Sequence, residues 1–301
     1  MADWLLALCT PPPTAVVAEL EPMLARWQSM PGSAFERAVA AGMLADRVGL
    51  AFAAGYRSAL LALTGETGHA ALCITEKGGA HPRAIETRLE WQGDTAVLTG
   101  TKAWSTLADH ARTLLVAAST GTKNGRNQLR MVRVPVDAEG LQLRAMPPTA
   151  FTPEIPHFRV ELSRVRVDAE ALLEGDGYDR WIKPFRTVED IHVTAAALAH
   201  LVTTGRRAGW SAKVLAEGVA LVAALADLAR RPPLDPAVHL ALGGVLTSFE
   251  AWVRRVDHGW SGTTPEVRAR WIRDQPLLGV ASKARSARFA RAVATAGLRL
   301  G

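Results

Sequence analysis

The residues of this 301-residue chain whose types and spacing suit chemistry lie between Ala70 and Thr106. An apolar run, Ala70 to Ile74, leads into Thr75-Glu76 and the turn Lys77-Gly78-Gly79-Ala80; further on the chain reads Gly100-Thr101-Lys102-Ala103-Trp104-Ser105-Thr106. Glycine lets a backbone pass close to a ligand at little steric cost. Leu72–Thr75 offers backbone groups and a hydroxyl, and Trp104–Thr106 offers an indole and a hydroxyl. Side by side in one sheet, the two segments suit a flat aromatic ligand with polar edges. Other common chemistries lack their residues. There is no GxGxxG, Walker loop, HExxH, CxxC, GxSxG or EF-hand loop. The eight histidines are scattered, and Cys9 and Cys73 stand too far apart to suggest a metal pair or a disulfide framework.

The elements that must position these residues follow from the patterning. Between the two segments, Ala84 to Trp91 and Thr95 to Gly100 flank the turn signal Gln92-Gly93-Asp94 and predict a hairpin. Leu114 to Ala118 reads as a buried strand, Leu129 to Val134 as another, and Gly121–Asn127 as a polar loop. Short strands at regular spacing predict a small antiparallel barrel or sandwich over residues 70–180. Upstream, residues 1–13 read as a loose lead-in. A helix is expected over Thr14 to Trp27, then Ser33-x-x-Glu36 in capping-box form, then a helix from about Asp46 to Leu63. From Thr187 the pattern is helical to the end. Val188, Ile191, Ala195, Leu198 and Val202 mark one face, and Pro276 should kink or divide the last segment. The expected fold class is therefore α+β: N-terminal helices over residues 1–69, the β-domain, and a C-terminal four-helix bundle over 181–301.

Bulk properties narrow the classes. Half the residues are apolar, enough for a substantial core. No run of about 18 apolar residues suggests a membrane span, and no signal peptide is evident, so the cytoplasm is the expected location. A net charge of +6 is compatible with nucleic acid or with a phosphorylated metabolite. Arg285, Arg288 and Arg291 form a basic cluster, but without interleaved aromatics it reads as a solvated helix face, which makes nucleic acid an unfavoured partner.

The stretch resembles the flavin-binding middle domain of the acyl-CoA dehydrogenase family, whose pattern there is T-E-P-G-x-G-S-D and later G-x-K-x-W-I-T. Thr75 to Pro82 and Gly100 to Thr106 carry that resemblance. It continues through Phe158-Arg-Val-Glu-Leu-Ser-Arg-Val-Arg-Val167 and Leu172-Leu173-Glu174-Gly175-Asp176-Gly177. The resemblance implies FAD as cofactor and an acyl-CoA-like substrate. It also implies roles: backbone groups of Leu72, Ile74 and Thr75 at the flavin's polar edge, the Thr75 and Thr106 hydroxyls beside them, and Trp104 over a ring face. Singly, Trp104 also reads as a core indole and the threonines as ordinary strand residues.

The departures matter as much. The family's phosphate-gripping Ser-Asp falls on His81-Pro82, and proline has no N–H to donate. The family's R-x-x-F-G element has no counterpart between Gly205 and Ala229. The loop before the usual catalytic glutamate is reduced to Gly297 to Gly301, so that base is expected to be missing. In a few relatives the base stands instead on the first C-terminal helix, where Asp190 matches best and Glu189 is one residue off. Thr187-x-x-Asp190 also reads as a helix cap. Two function classes follow: an FAD-dependent oxidoreductase acting on an acyl thioester, with Asp190 as base, or a cofactor-depleted relative that serves as a binding or scaffold partner. The stripe Leu240, Leu242, Val245, Leu246, Phe249, Trp252 and Val253 is wider than one partner helix needs, which predicts a homodimer through the bundle.

Overall fold

In the computed structural model, which describes residues 4–66 and 69–299, the expected capping box is formed. Ser33 accepts from the Glu36 N–H, and the Glu36 carboxylate takes the Ser33 N–H at 2.7 Å, starting α3 (Ala34–Leu44). α1 (Trp4–Cys9) and α2 (Leu20–Ser29) precede it, and α4 (Val48–Thr64) follows. The lead-in is thus not loose throughout. Leu8 is buried, and Trp4 packs edge-on to Phe35 with ring centroids 5.6 Å apart. α2 begins later than expected because Val17 is held extended, donating to the Leu44 carbonyl and accepting from the Asp46 N–H.

The remaining helices are α5 (Lys183–Arg207), α6 (Ala212–Leu228), α7 (Pro236–Arg255), α8 (Pro265–Asp274) and α9 (Ser282–Thr295). Pro276 lies in the 3-10 stretch Gln275–Gly279 and divides the last segment into α8 and α9, so the expected four helices become five. The N-terminal helices do not stand apart from these. α3 and α4 approach α5 through glycines: a Cβ on Gly42 would run into the Ala196 carbonyl, and one on Gly55 would lie 2.7 Å from the Val193 Cα. The chain accordingly divides into two compact units rather than three parts. The helical unit comprises the chain up to Ala62, Ala150–Glu154 and the chain from Thr187 onward; the β unit comprises Leu63–Thr149 and Ile155–Arg186.

Within the helical unit the wide apolar stripe on α7 is largely satisfied. Leu242, Leu246, Phe249 and Trp252 are buried, and the Trp252 indole donates to the Val214 carbonyl at 2.9 Å. Gly243 leaves the space that the Phe289 ring of α9 fills. The width that suggested a dimer is thus used by α6 and α9 of the same chain.

The β unit is a seven-stranded sheet built from β1 (Ala70–Cys73), β2 (Arg88–Gln92), β3 (Thr95–Thr106), β4 (Thr113–Lys123), β5 (Arg126–Pro135), β6 (Leu141–Ala145) and β7 (His157–Asp168). β2–β3, β3–β7, β6–β7 and β4–β5 pair antiparallel, as the patterning predicts. β1 instead pairs parallel to β4, Ala70 opposite Thr113, and β2 meets β4 in parallel at Arg88 and Ser119. The β2–β3 hairpin between β1 and β4 supplies the long connection that parallel pairing needs. Two loops also differ from expectation. Residues 82–84 form a 3-10 turn because Asn127 binds the Pro82 and Ile85 carbonyls, and the expected loop Gly121–Asn127 is a hairpin turning at Asn124-Gly125. No helix among the described residues is long and apolar enough to cross a membrane.

Candidate functional site

The two segments that could hold an aromatic ligand meet in the β unit. Beyond Cys73 the chain reaches β3, where the Ala103 N–H donates to the Thr75 carbonyl at 2.7 Å. Glu76 then closes a tight turn with Gly79, each donating its N–H to the other's carbonyl, with Gly79 at φ +100°. A buried ion pair fastens the junction. Lys102 Nζ lies 2.6 Å from Glu76 Oε1, the lysine side chain is 0% exposed, and its ammonium also points at the Ile74 carbonyl, 3.5 Å away. The Thr87 hydroxyl and the N–H groups of Glu86 and Thr87 complete the carboxylate's partners. Burial pushes the Glu76 carboxyl up, but Lys102 and these donors outweigh it and hold it below the usual carboxylate range.

Lys102 and Glu76 were not singled out from the sequence, although a signal existed. Ala96, Leu98, Gly100 and Lys102 share one face of a strand by period two, so a lysine there belongs inside and needs an anion. Met146 and His157, which complete the surroundings of Trp104, gave no local signal. The pairing of Thr106 with His157 across β3 and β7 brings them in.

Trp104 is not a core indole. It is 48% exposed, at a break in the β3–β7 register, with φ +56°. Its N–H points at Met146 Sδ, 3.2 Å away, and its ring meets His157 edge-on with centroids 5.7 Å apart. Burial holds the His157 imidazole below its usual range, against a backbone hydrogen bond at Ile155. A bulge re-aims a side chain, and a non-glycine residue in the left-handed region costs free energy that recurs at ligand sites. Thr75 and Thr106 are half-buried, and among the described residues neither hydroxyl has a partner.

The other expected contacts are less available. Leu72 is buried opposite Leu115 in the β1–β4 ladder, and the Thr75 carbonyl is taken by Ala103. Ile74 is half-buried, its carbonyl turned to Lys102. His81 is exposed, and its Nδ1 accepts from the Arg83 N–H, capping the turn that Pro82 opens. Among the described residues no group of three or more His, Cys, Asp and Glu could hold a metal ion.

Asp190 belongs to the helical unit. It is not a helix cap, because α5 starts at Lys183 and Asp190 lies inside it. Of the arginine cluster expected to be a solvated face, only Arg291 is exposed; Arg285 and Arg288 turn to Asp190. Arg285 Nε lies 2.7 Å from Asp190 Oδ1 and Arg288 Nη2 lies 2.6 Å from Oδ2, with Arg288 and Asp190 both buried.

The family model described as the acyl-CoA dehydrogenase middle domain matches residues 71–165. A probable acyl-CoA dehydrogenase, YngJ, of Bacillus subtilis (strain 168) is 32% identical over 126 residues, which cover 42% of this chain and 32% of that relative. The match thus spans about a third of the relative's length. Butyryl-CoA dehydrogenase of Megasphaera elsdenii superposes with a TM-score of 0.67 at 17% identity, over 87% of this chain and 82% of that one. A glutaryl-CoA dehydrogenase of Mycobacterium smegmatis, solved in complex with FADH2, gives a TM-score of 0.67 at 14% identity, over 96% and 88%. Residues 71–165 thus match the acyl-CoA dehydrogenase middle domain, and the chain that carries them has the acyl-CoA dehydrogenase fold.

Proposed function

We propose that the β unit binds the isoalloxazine of FAD and that the protein is a flavin-dependent oxidoreductase of acyl-CoA dehydrogenase type, acting on the CH–CH bond of an acyl thioester. The observation that carries this reading is the junction of Thr75, Trp104 and Thr106. The Ala103–Thr75 hydrogen bond and the buried Lys102–Glu76 pair bring the segments together, yet both threonine hydroxyls and the indole stay available. The residues present therefore fit the ring end of the cofactor. A bound flavin supplies a hydride acceptor whose electronics depend on hydrogen bonds at its polar edge. Thr75 and Thr106 would supply those bonds, and Trp104 would cover an aromatic face. His81 and Pro82 do not fit the phosphate end in the same way: the imidazole caps a turn and proline lacks the N–H.

A second reading, flavin binding without dehydrogenation, is favoured by Asp190. To take an α-proton from a thioester, its carboxylate would have to leave two guanidinium partners. On that reading the protein is a binding partner with the dehydrogenase fold. The two readings separate in one experiment: reconstitute the protein with FAD and add a short-chain acyl-CoA anaerobically. Bleaching of the flavin absorbance supports the oxidoreductase. A flavin spectrum that acyl-CoAs of several chain lengths leave unchanged supports the second reading, and no flavin uptake at any concentration overturns both and favours a cofactor-depleted binding or scaffold partner.

A further inference from the structure

α5 carries a histidine that its own packing does not satisfy. His192 is only 3% exposed, and its Nδ1 lies 2.7 Å from the Val188 carbonyl one turn back on the same helix. A carbonyl only accepts, so Nδ1 carries the ring proton. Burial pushes the imidazole down to about 4, which leaves the ring neutral at physiological pH and Nε2 a bare acceptor. Nε2 has no partner among the described residues. An acceptor in so buried a ring costs free energy while it stays unpaired, and marks a place where a further group supplies the bond.

Such a group has room beside the ring. Within the helical unit His192 lines a cavity of about 390 Å³, in the size range of small-molecule sites. Trp4 and Phe35 line it too, Trp4 edge-on to Phe35 and Phe35 edge-on to the His192 ring with centroids 6.1 Å apart, so three rings follow one another in the wall. Ala226 and Ala229, at the end of α6, add only methyl groups and keep the space open. Glu36 and Arg230 bring one charge of each sign to the lining, so net charge favours neither an anion nor a cation. A water could satisfy Nε2 but not the aromatic wall. A carboxylate would set its lone pairs against that of Nε2, and an ammonium would have to shed its hydration beside apolar surface. A neutral hydroxyl donates to Nε2 without either cost, and an aromatic ring continues the edge-to-face series. We infer that this cavity binds a small phenol, its ring against Phe35 and Trp4 and its hydroxyl donating to His192 Nε2. The inference involves the helical unit alone and does not depend on flavin binding.

The test is calorimetric titration of the full chain with p-cresol and, separately, with toluene, which has the same ring and methyl group but no hydroxyl. The expected result is saturable binding of p-cresol, with toluene about tenfold weaker, the scale of one hydrogen bond. His192→Phe keeps an aromatic ring in the wall and removes the acceptor, so it should bind the two probes equally. Ala229→Leu, at the half-buried end of α6, puts a larger side chain into the cavity. It should fold and weaken both probes, which keeps the test open if His192→Phe fails to fold. A wild-type protein without saturable p-cresol binding overturns the inference. So does equal wild-type affinity for toluene, a preference for p-cresol that survives in His192→Phe, or undiminished binding in Ala229→Leu.

Discussion

Lys102 and Glu76 each offset the cost of burying the other, which makes the pair the most sensitive point of the β unit. Lys102→Met leaves a carboxylate uncompensated at a site that is 0% exposed on the lysine side, and the loss in urea unfolding should be about 3–5 kcal/mol. Adding Glu76→Gln should recover part of it by removing the buried charge, although the Glu86 and Thr87 N–H groups donate to different carboxylate oxygens and the amide offers only one. The sign of the pH effect follows from the depressed carboxyl of Glu76. Its contribution is complete above the ordinary value of 4.5 and is lost as pH falls through the lower folded-state value. The stability gap between wild type and Glu76→Gln should therefore shrink as pH falls below 4.5. A gap that widens in acid would contradict the assignment. Trp104 offers the complementary test. Trp104→Gly trades ring contacts for relief of a left-handed backbone, so stability should change by no more than about 1 kcal/mol while flavin affinity falls at least tenfold. A large loss of stability in thermal unfolding would show that the indole serves packing instead.

At the scale of elements, the strongest constraints are close approaches that only glycine allows. Gly42→Ala and Gly55→Ala would raise the intrinsic helix propensity of α3 and α4 by about 1 kcal/mol each. Both should nonetheless destabilise, by about 1–3 kcal/mol net, because the added methyl meets α5 backbone at Ala196 or Val193. Denaturant midpoints that rise in either variant would mean α5 can move aside. The elements also mark what was legible in the sequence. The Ser33–Glu36 box, the Gly93 turn and the break at Pro276 were readable because each depends on residues a few positions apart. The parallel β1–β4 pairing, the α5 start at Lys183 and the capture of Arg285 by Asp190 were not, since partners far along the chain decide them. Asp190 shows the mechanism of failure: Thr187-x-x-Asp190 has the form of a cap, but the 25 residues of α5 begin upstream and place the carboxylate inside the helix.

For the whole molecule, the order of helices, strands and helices was legible, and the acyl-CoA dehydrogenase fold bears it out. The grouping was not, because the glycine-lined contacts of α3 and α4 join the N-terminal helices to the C-terminal ones in one unit. The candidate site was half legible. Thr75, Trp104 and Thr106 stood out by type and spacing, whereas the ion pair beneath them and the His157–Met146 surroundings emerge only when the sheet closes. The central claim is that this site holds a flavin by its ring and grips the phosphates poorly, His81 and Pro82 standing where a hydroxyl and a carboxylate would. Losing two charge-assisted bonds of about 1.5–3 kcal/mol each weakens binding by roughly two to four orders of magnitude. The direct measurement is a side-by-side titration of FAD and riboflavin by quenching of flavin fluorescence. Comparable dissociation constants for the two are the predicted result, both raised by Trp104→Gly. An FAD preference of several thousandfold, or riboflavin binding indifferent to Trp104, would contradict the account.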